Sequence, residues 1–336
     1  MNASSKWRTG RVCLNLLLAA PLVTPPVHAA APAEISIPGE RIFPESLTST
    51  SDGSVIIGSI VARTIFRAKP GAEHADPWIA PGTDGLQSIF GVFADNRSNT
   101  LWACSNPFGP PFSSAAAAQP PPAALFAFDL KTGSSRAHYP FPTAGAFCND
   151  IAIGPDGTVY ATDTNNMEVV RLKKGATGLE RWAGDGAFGP KGGVLDGISV
   201  LGHTVLVNTL ATSKLFSVPI KSDGGAGEVV ELKLDRPIER PDGMRSFGKD
   251  GVLVVEGGAG GRLSRVRLHG ADASVTTVKE GFPDGPVSVT VVGSTAYVLE
   301  GQLAILMRRT PDPASAPAPS PSPRPFHATS VDVGKP

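Results

Sequence analysis

Asn149, Asp196 and Asp242 each stand just ahead of an apolar run, in Cys148-Asn149-Asp150-Ile151-Ala152-Ile153, Leu195-Asp196-Gly197-Ile198 and Pro241-Asp242-Gly243-Met244. They lie 47 and 46 residues apart. The same step leads onward to Ser288 and back through Gly91 to Glu45, and only the interval from Gly91 to Asn149 is long, at 58. Brought to one place, three carboxylates and an amide would repel one another unless a cation held them. An oxygen-only set without Cys or His suits Ca²⁺, Mg²⁺ or Mn²⁺ and argues against zinc. Turn chemistry alone explains Asp-Gly at Asp52, Asp156 and Asp250. It does not explain Glu45 or Asn149, which hold the equivalent place in a different turn context.

The elements that must carry these residues follow from composition and period. Gly 38 and Pro 32 make up about a fifth of 336 residues, which excludes an all-helical fold, while 41% hydrophobic residues supply a sizeable core. After each anchor come apolar runs such as Val159-Tyr160-Ala161, Val205-Leu206-Val207 and Val252-Leu253-Val254-Val255, with no helical periodicity between them. Six repeats of about 46 residues predict an all-β, six-bladed propeller with about four strands per blade, as one domain over 31–336. The Pro/Ala-rich stretch 107–124 absorbs the long interval as an inserted loop. A Pro/Ser/Ala segment over 310–325 precedes Phe326 to Val333, which alternates like a strand and is expected to help close the ring against the N-terminal blade. In such a ring the anchors begin the innermost strands, so Glu45, Asn149, Asp196, Asp242 and Ser288 would surround one mouth of the central channel. The ends of the returning strands form a second ring there: Ser59, Ser105, Asp163, Thr209, Glu256 and Glu300, with Asn165 and Asn208 nearby. Some of these would face substrate and others would be tied between blades.

Thirty basic and thirty acidic residues, scattered, offer no stripe to nucleic acid. Lys6, Arg8 and Arg11, the apolar Val12 to Val23 and the small residues around Ala29 read as an export signal over 1–30, leaving a mature net charge of −3 in the periplasm or outside the cell and no membrane anchor. Cys104 and Cys148 remain, either as one disulfide beside the mouth or as two buried thiols. Gly184-Asp185-Gly186-Ala187-Phe188-Gly189 spells a phosphate-loop pattern but runs into Pro190 rather than a helix. No G-x-S-x-G elbow occurs.

Phe43-Pro44-Glu45-Ser46, Asn149 to Gly157, Asp196-Gly197-Ile198 and Pro241-Asp242-Gly243-Met244 together resemble the senescence marker protein, gluconolactonase and luciferin-regenerating enzyme family, akin to the paraoxonases. The resemblance runs from about Phe43 to Leu303. It implies one catalytic divalent metal, calcium first with magnesium, manganese or zinc as alternatives, and hydrolysis of lactones or related esters. It further implies Glu45, Asn149, Asp196 and Asp242 as ligands, with Asp242 the general base; Asp163 is a second candidate for that role. Four protein oxygens leave Ca²⁺ short of its usual six to eight ligands, so water or a small-molecule substrate would complete the set. Two positions depart from the family. Asp196 replaces a common Asn, which makes the site more anionic, and Phe147 replaces the Arg that sugar lactonases carry, which favours a less polar lactone or ester. The competing expectations are a non-catalytic propeller holding a metabolite or protein partner around a structural metal, and a lyase or condensing enzyme on the same scaffold.

Overall fold

Short apolar runs separated by turn residues become strands and almost nothing else: among the described residues the helical content is Leu303–Leu306 and a 3-10 turn at Thr83–Gly85. The computed structural model describes residue 1 and residues 31–108, 121–307 and 322–335. The expected export signal, most of the 107–124 insert and most of the 310–325 segment lie outside them. No described helix is long and apolar enough to cross a membrane.

Six antiparallel sheets form the six blades of a propeller. Their innermost strands are Pro44–Ser49, Ser88–Asp95, Cys148–Ile153, Leu195–Leu201, Pro241–Ser246 and Pro286–Val292. Each pairs with a returning strand, in order Val55–Ser59, Thr100–Asn106, Val159–Asp163, Thr204–Thr209, Gly251–Glu256 and Thr295–Glu300. Two further strands complete each blade, and blade five adds a short parallel strand, Lys233–Leu234, at its outer edge.

The ring closes by strand exchange between the chain ends. Blade six takes its third strand from Phe326–Asp332, which pairs on one side with Thr295–Glu300 and on the other with Glu34–Ile37. The C-terminal strand thus closes the ring as expected, but inside blade six, where the N-terminal strand joins it as the outermost member. Phe326 then packs edge-on against Phe43, with ring centroids 5.5 Å apart.

Both faces of each blade are buried, so adjacent residues of one strand serve different cores. In Thr204–Thr209, Val205 and Val207 pack with blade three residues such as Tyr160, whereas Leu206 packs with Met244, Val252 and Val254 of blade five. This two-sided burial makes the runs continuously apolar rather than alternating. The Asp-Gly turns behave as read in two blades: Asp52 and Asp156 accept the N–H groups of Ser54 and Thr158 at 2.9 Å while Gly53 and Gly157 take φ of 88° and 87°. Blade five differs, because Gly248 takes the left-handed position (φ 77°) and Gly251 already begins the returning strand.

Candidate metal and substrate site at the channel mouth

Every innermost strand breaks register just after it starts. The shifts fall at Pro44/Ser46, Ile89/Val92, Cys148/Ile151, Leu195/Ile198, Pro241/Met244 and Pro286/Ser288. A bulge re-aims the side chain it frees. The residues so freed, Glu45, Phe90, Asn149, Asp196, Asp242 and Val287, all line one cavity of about 720 Å³. The four oxygen-bearing anchors therefore meet. Ser288 does not join them: counting 46 residues from Asp242 lands on it, but the bulge at Pro286 puts Val287 in the channel and leaves Ser288 buried against Gly243. For the same reason Phe90 rather than Gly91 represents blade two.

The strands converge tightly here. A Cβ on Gly197 would strike the carbonyl of Asp242, and one on Gly243 would lie 2.8 Å from the carbonyl of Val287. The glycine after each aspartate is thus required by close approach of neighbouring blades, not by a turn. Side chains from the preceding blade then fix each anchor's backbone. Thr162 donates to the carbonyl of Asp196 at 2.7 Å and Asn208 to that of Asp242 at 2.6 Å. Asn106 brackets Cys148 with two hydrogen bonds, and Cys148 is joined by a disulfide to Cys104 of blade two, both fully buried. Blades two and three are therefore covalently tied next to Asn149.

One oxygen each of Glu45, Asp196 and Asp242 lies within 4.8 Å of the others. All three residues are buried. Burial, and then the neighbouring carboxylates, push Glu45 and Asp242 well above the usual carboxylate range. Asp196 rises to about 7, through burial first and then the charge of Asp150. Asn149 donates its Nδ2 to Thr164 Oγ1 at 3.1 Å, and Thr164 in turn donates to the carbonyl of Leu195 at 2.6 Å. That chain fixes the amide and leaves Asn149 Oδ1 buried without a hydrogen-bond partner among the described residues, as is Asp196 Oδ1. Two orphaned oxygens among three crowded carboxylates fit a hard divalent cation, since buried acceptors without donors are costly.

The protonation state supplies a prediction. Without metal, the folded protein binds more protons at these carboxyls than the unfolded chain does between about pH 4 and about 7. Stability of the chelated protein should therefore fall as pH rises through that window. With saturating Ca²⁺ the trend should reverse, because the ligands must be deprotonated to bind. Thermal unfolding from pH 4.5 to 7.5 with and without chelator reads both slopes, and parallel slopes would refute the cation site.

Below the ring, Arg245 of blade five reaches across the channel. Its Nη1 lies 2.9 Å from Asp150 Oδ2 of blade three, and Nη2 donates to the carbonyls of Leu47 and Val92 at 3.3 and 3.2 Å. One guanidinium so links four blades, and its charge partly offsets the upward shift of Glu45. The sequence contained a signal for it: three residues after each anchor stand Thr48, Phe93, Ala152, Ser199, Arg245 and Thr290, of which Arg245 alone is charged.

None of Ser59, Ser105, Asp163, Thr209, Glu256 and Glu300 lines the mouth cavity. Four of them accept a backbone N–H from the loop that leads into their own blade's innermost strand: Ser105 from Gln87, Asp163 from Phe147, Glu256 from Glu239 and Glu300 from Asp284, at 2.8 to 3.0 Å. Asp163 also holds Asn166, through its backbone N–H at 3.2 Å and its Nδ2 at 2.8 Å. Its carboxylate is occupied and fully buried, so it pins the Phe147 loop instead of facing a reacting water. Asn165 does line the cavity.

Much of the remaining wall is apolar, and apart from Phe147 its residues were not legible in the repeat. Phe147 packs on Phe90, with ring centroids 4.6 Å apart, and Phe108 closes the cluster. Val194, Leu210, Phe282, Leu303 and Ile305 continue it.

No family model and no curated protein matches the chain. Solved structures do. A gluconolactonase from Xanthomonas campestris superposes with a TM-score of 0.58 at 14% identity, covering 78% of this chain and 84% of its own. A calcium-binding protein, regucalcin, from Agrobacterium tumefaciens gives 0.56 at 14%, covering 90% and 97%. Virginiamycin B lyase from Staphylococcus aureus gives 0.54 at 15%, covering 80% and 95%, in a histidine-to-alanine form described as catalytically inactive. These likenesses carry the six-bladed architecture across.

Proposed function

We propose that the protein hydrolyses lactones or related esters of modest polarity at the channel mouth, with a divalent cation, calcium first, held by Glu45, Asn149, Asp196 and Asp242. The observation that carries this reading is the convergence of three buried carboxylates and two orphaned oxygens on one wall of an open, largely apolar cavity. The likeness to a gluconolactonase and to a calcium-binding regucalcin supports it. When bound, the cation would supply Lewis acidity to the ester carbonyl and charge to offset the developing oxyanion.

Asp242 is the matched general base. Its Oδ1 accepts the N–H of Gly243 at 2.9 Å, which fixes the carboxylate plane and leaves Oδ2 to take a proton from water. The water oxygen adds to the acyl carbon, the acyl–oxygen bond breaks, and the abstracted proton passes to the leaving alkoxide, giving an alcohol and a carboxylic acid that releases its remaining proton to solvent. Phe90, Phe147 and Phe282 bind the apolar body of the substrate and exclude bulk water. Phe147 presents no hydrogen bond to a sugar, so aldonolactones should be poor substrates.

A panel of aliphatic, aromatic and sugar lactones assayed with and without chelator tests the proposal. Hydrolysis of the apolar members, lost on chelation and restored by Ca²⁺, is expected. Calcium binding without turnover of any member would leave a metabolite-binding propeller with a structural metal. An elimination product lacking the added water would point to a lyase, against which stands the absence of any histidine among the described cavity residues. We further read the protein as exported, on the strength of the basic-apolar leader pattern over 1–30 and the Cys104–Cys148 disulfide, which suits an oxidising compartment.

A further inference from the structure

Two residues before the anchors lies another layer, and Phe147, Val194, Arg240 and Gly285 of that layer line the cavity. Arg240 is the only Arg, Lys or His among the described residues that do so. Its backbone is fixed three ways. The N–H donates to Ser213 Oγ at 3.0 Å, the carbonyl accepts from Gly257 at 3.0 Å, and φ is 49°, with Pro241 following. The side chain by contrast is exposed, and among the described residues its guanidinium makes no ion pair or hydrogen bond. Outside the anchor cluster, Glu239 beside Arg240 pairs with Arg262 at 3.5 Å, and Asp284 of the cavity wall pairs with Arg324. Packing therefore does not hold this guanidinium, and among the described residues no carboxylate lies within ion-pair distance of it.

We propose that Arg240 binds a carboxylate carried by the substrate, remote from the ester group. This rests on reading the mouth as a hydrolase site and narrows its substrate class to lactones or esters with an apolar body and a free carboxylate. The planar fork of a guanidinium pairs with a carboxylate through two parallel hydrogen bonds. The apolar body would lie against Phe90, Phe147 and Phe282, which line the same cavity.

Two measurements on calcium-loaded wild type, Arg240→Met and Arg240→Lys test this. The first is kcat/KM for a lactone with a terminal side-chain carboxylate relative to the same lactone with that group as a primary amide. Wild type should prefer the acid, and the ratio should fall by about 10- to 100-fold in Arg240→Met and less in Arg240→Lys. The second is calorimetric titration with hexanoate, which needs no turnover; its Kd should rise by a similar factor in Arg240→Met. An unchanged ratio, or equal hexanoate binding by wild type and Arg240→Met, overturns the proposal. Should no lactone be hydrolysed while hexanoate binding still depends on Arg240, the anion site stands and the hydrolase reading fails.

Discussion

Replacing Asp242 by alanine should abolish lactone hydrolysis and weaken Ca²⁺ binding, without unfolding the protein. The residue contributes one of the three clustered carboxylates and, in the proposed reaction, the proton acceptor. General-base removal alone is worth about 10² to 10⁴ in rate. Asp242→Asn separates the two roles, because an amide still offers the cation an oxygen but cannot take the proton at Oδ2. We expect Asn to retain Ca²⁺ binding in calorimetry while kcat falls about 10³-fold. The metal-free variants should also be at least as heat-stable as wild type, since each removes a carboxyl whose ionised form is strongly disfavoured by burial and by Asp196 and Glu45. Activity of Asp242→Asn within tenfold of wild type would exclude Asp242 as the base.

Arg245→Met should cause a large loss of stability. Arg245 is 8% exposed and Asp150 4%, and the guanidinium also serves the carbonyls of Leu47, Val92 and Met244. Removing one partner of a buried pair strands the other charge, at about 3–5 kcal/mol. Here the stranded group is a carboxylate directly below the Glu45, Asp196 and Asp242 cluster, so the effect should lie at the upper end. For a domain of this size that is a fall in Tm on the order of 10 °C. The double variant Asp150→Asn/Arg245→Met removes both charges and should recover more than half of the loss. If the double variant is no more stable than Arg245→Met, the ion pair is not what the channel depends on. Calcium should partly rescue the single variant, because it neutralises the same cluster from above.

These two residues differ in how openly the sequence announced them. Asp242 sits in a motif repeated at a 46-residue step, and the step itself carries the number of blades, the order of the strands and the end of the channel at which the anchors gather. Glu45, Asn149 and Asp196 were legible for the same reason: a propeller is a nearly one-dimensional repetition, so equivalent positions in sequence become neighbours in a ring. Arg245 stands three residues further along the same motif, but its partner Asp150 is 95 residues away and two blades across. Nothing local marks that pairing.

Single-residue register was likewise invisible. The period points to Ser288 and Gly91, yet the bulges deliver Val287 and Phe90 to the cavity, because a one-residue shift in a strand sends a different side chain into the channel. The polar ends of the returning strands look from sequence like a second functional ring. In three dimensions Asp163, Glu256 and Glu300 have their oxygens taken by backbone N–H groups of their own blades. Arg240, one residue before the Pro241-Asp242-Gly243-Met244 motif, became meaningful only once the structure showed no ion pair for it among the described residues while Glu239 and Asp284 are paired elsewhere.

By itself, then, the sequence determined the blade count, the strand chemistry and the four oxygen anchors, because periodicity and residue type are local properties that a repeating fold preserves. The tertiary structure alone decided the Arg245 span across the channel and which atoms are left without partners among the described residues: the oxygens of Asn149 and Asp196 and the guanidinium of Arg240. Hydrogen bonds and charge pairs between blades are settled by closure of the ring, which brings together residues that no period relates.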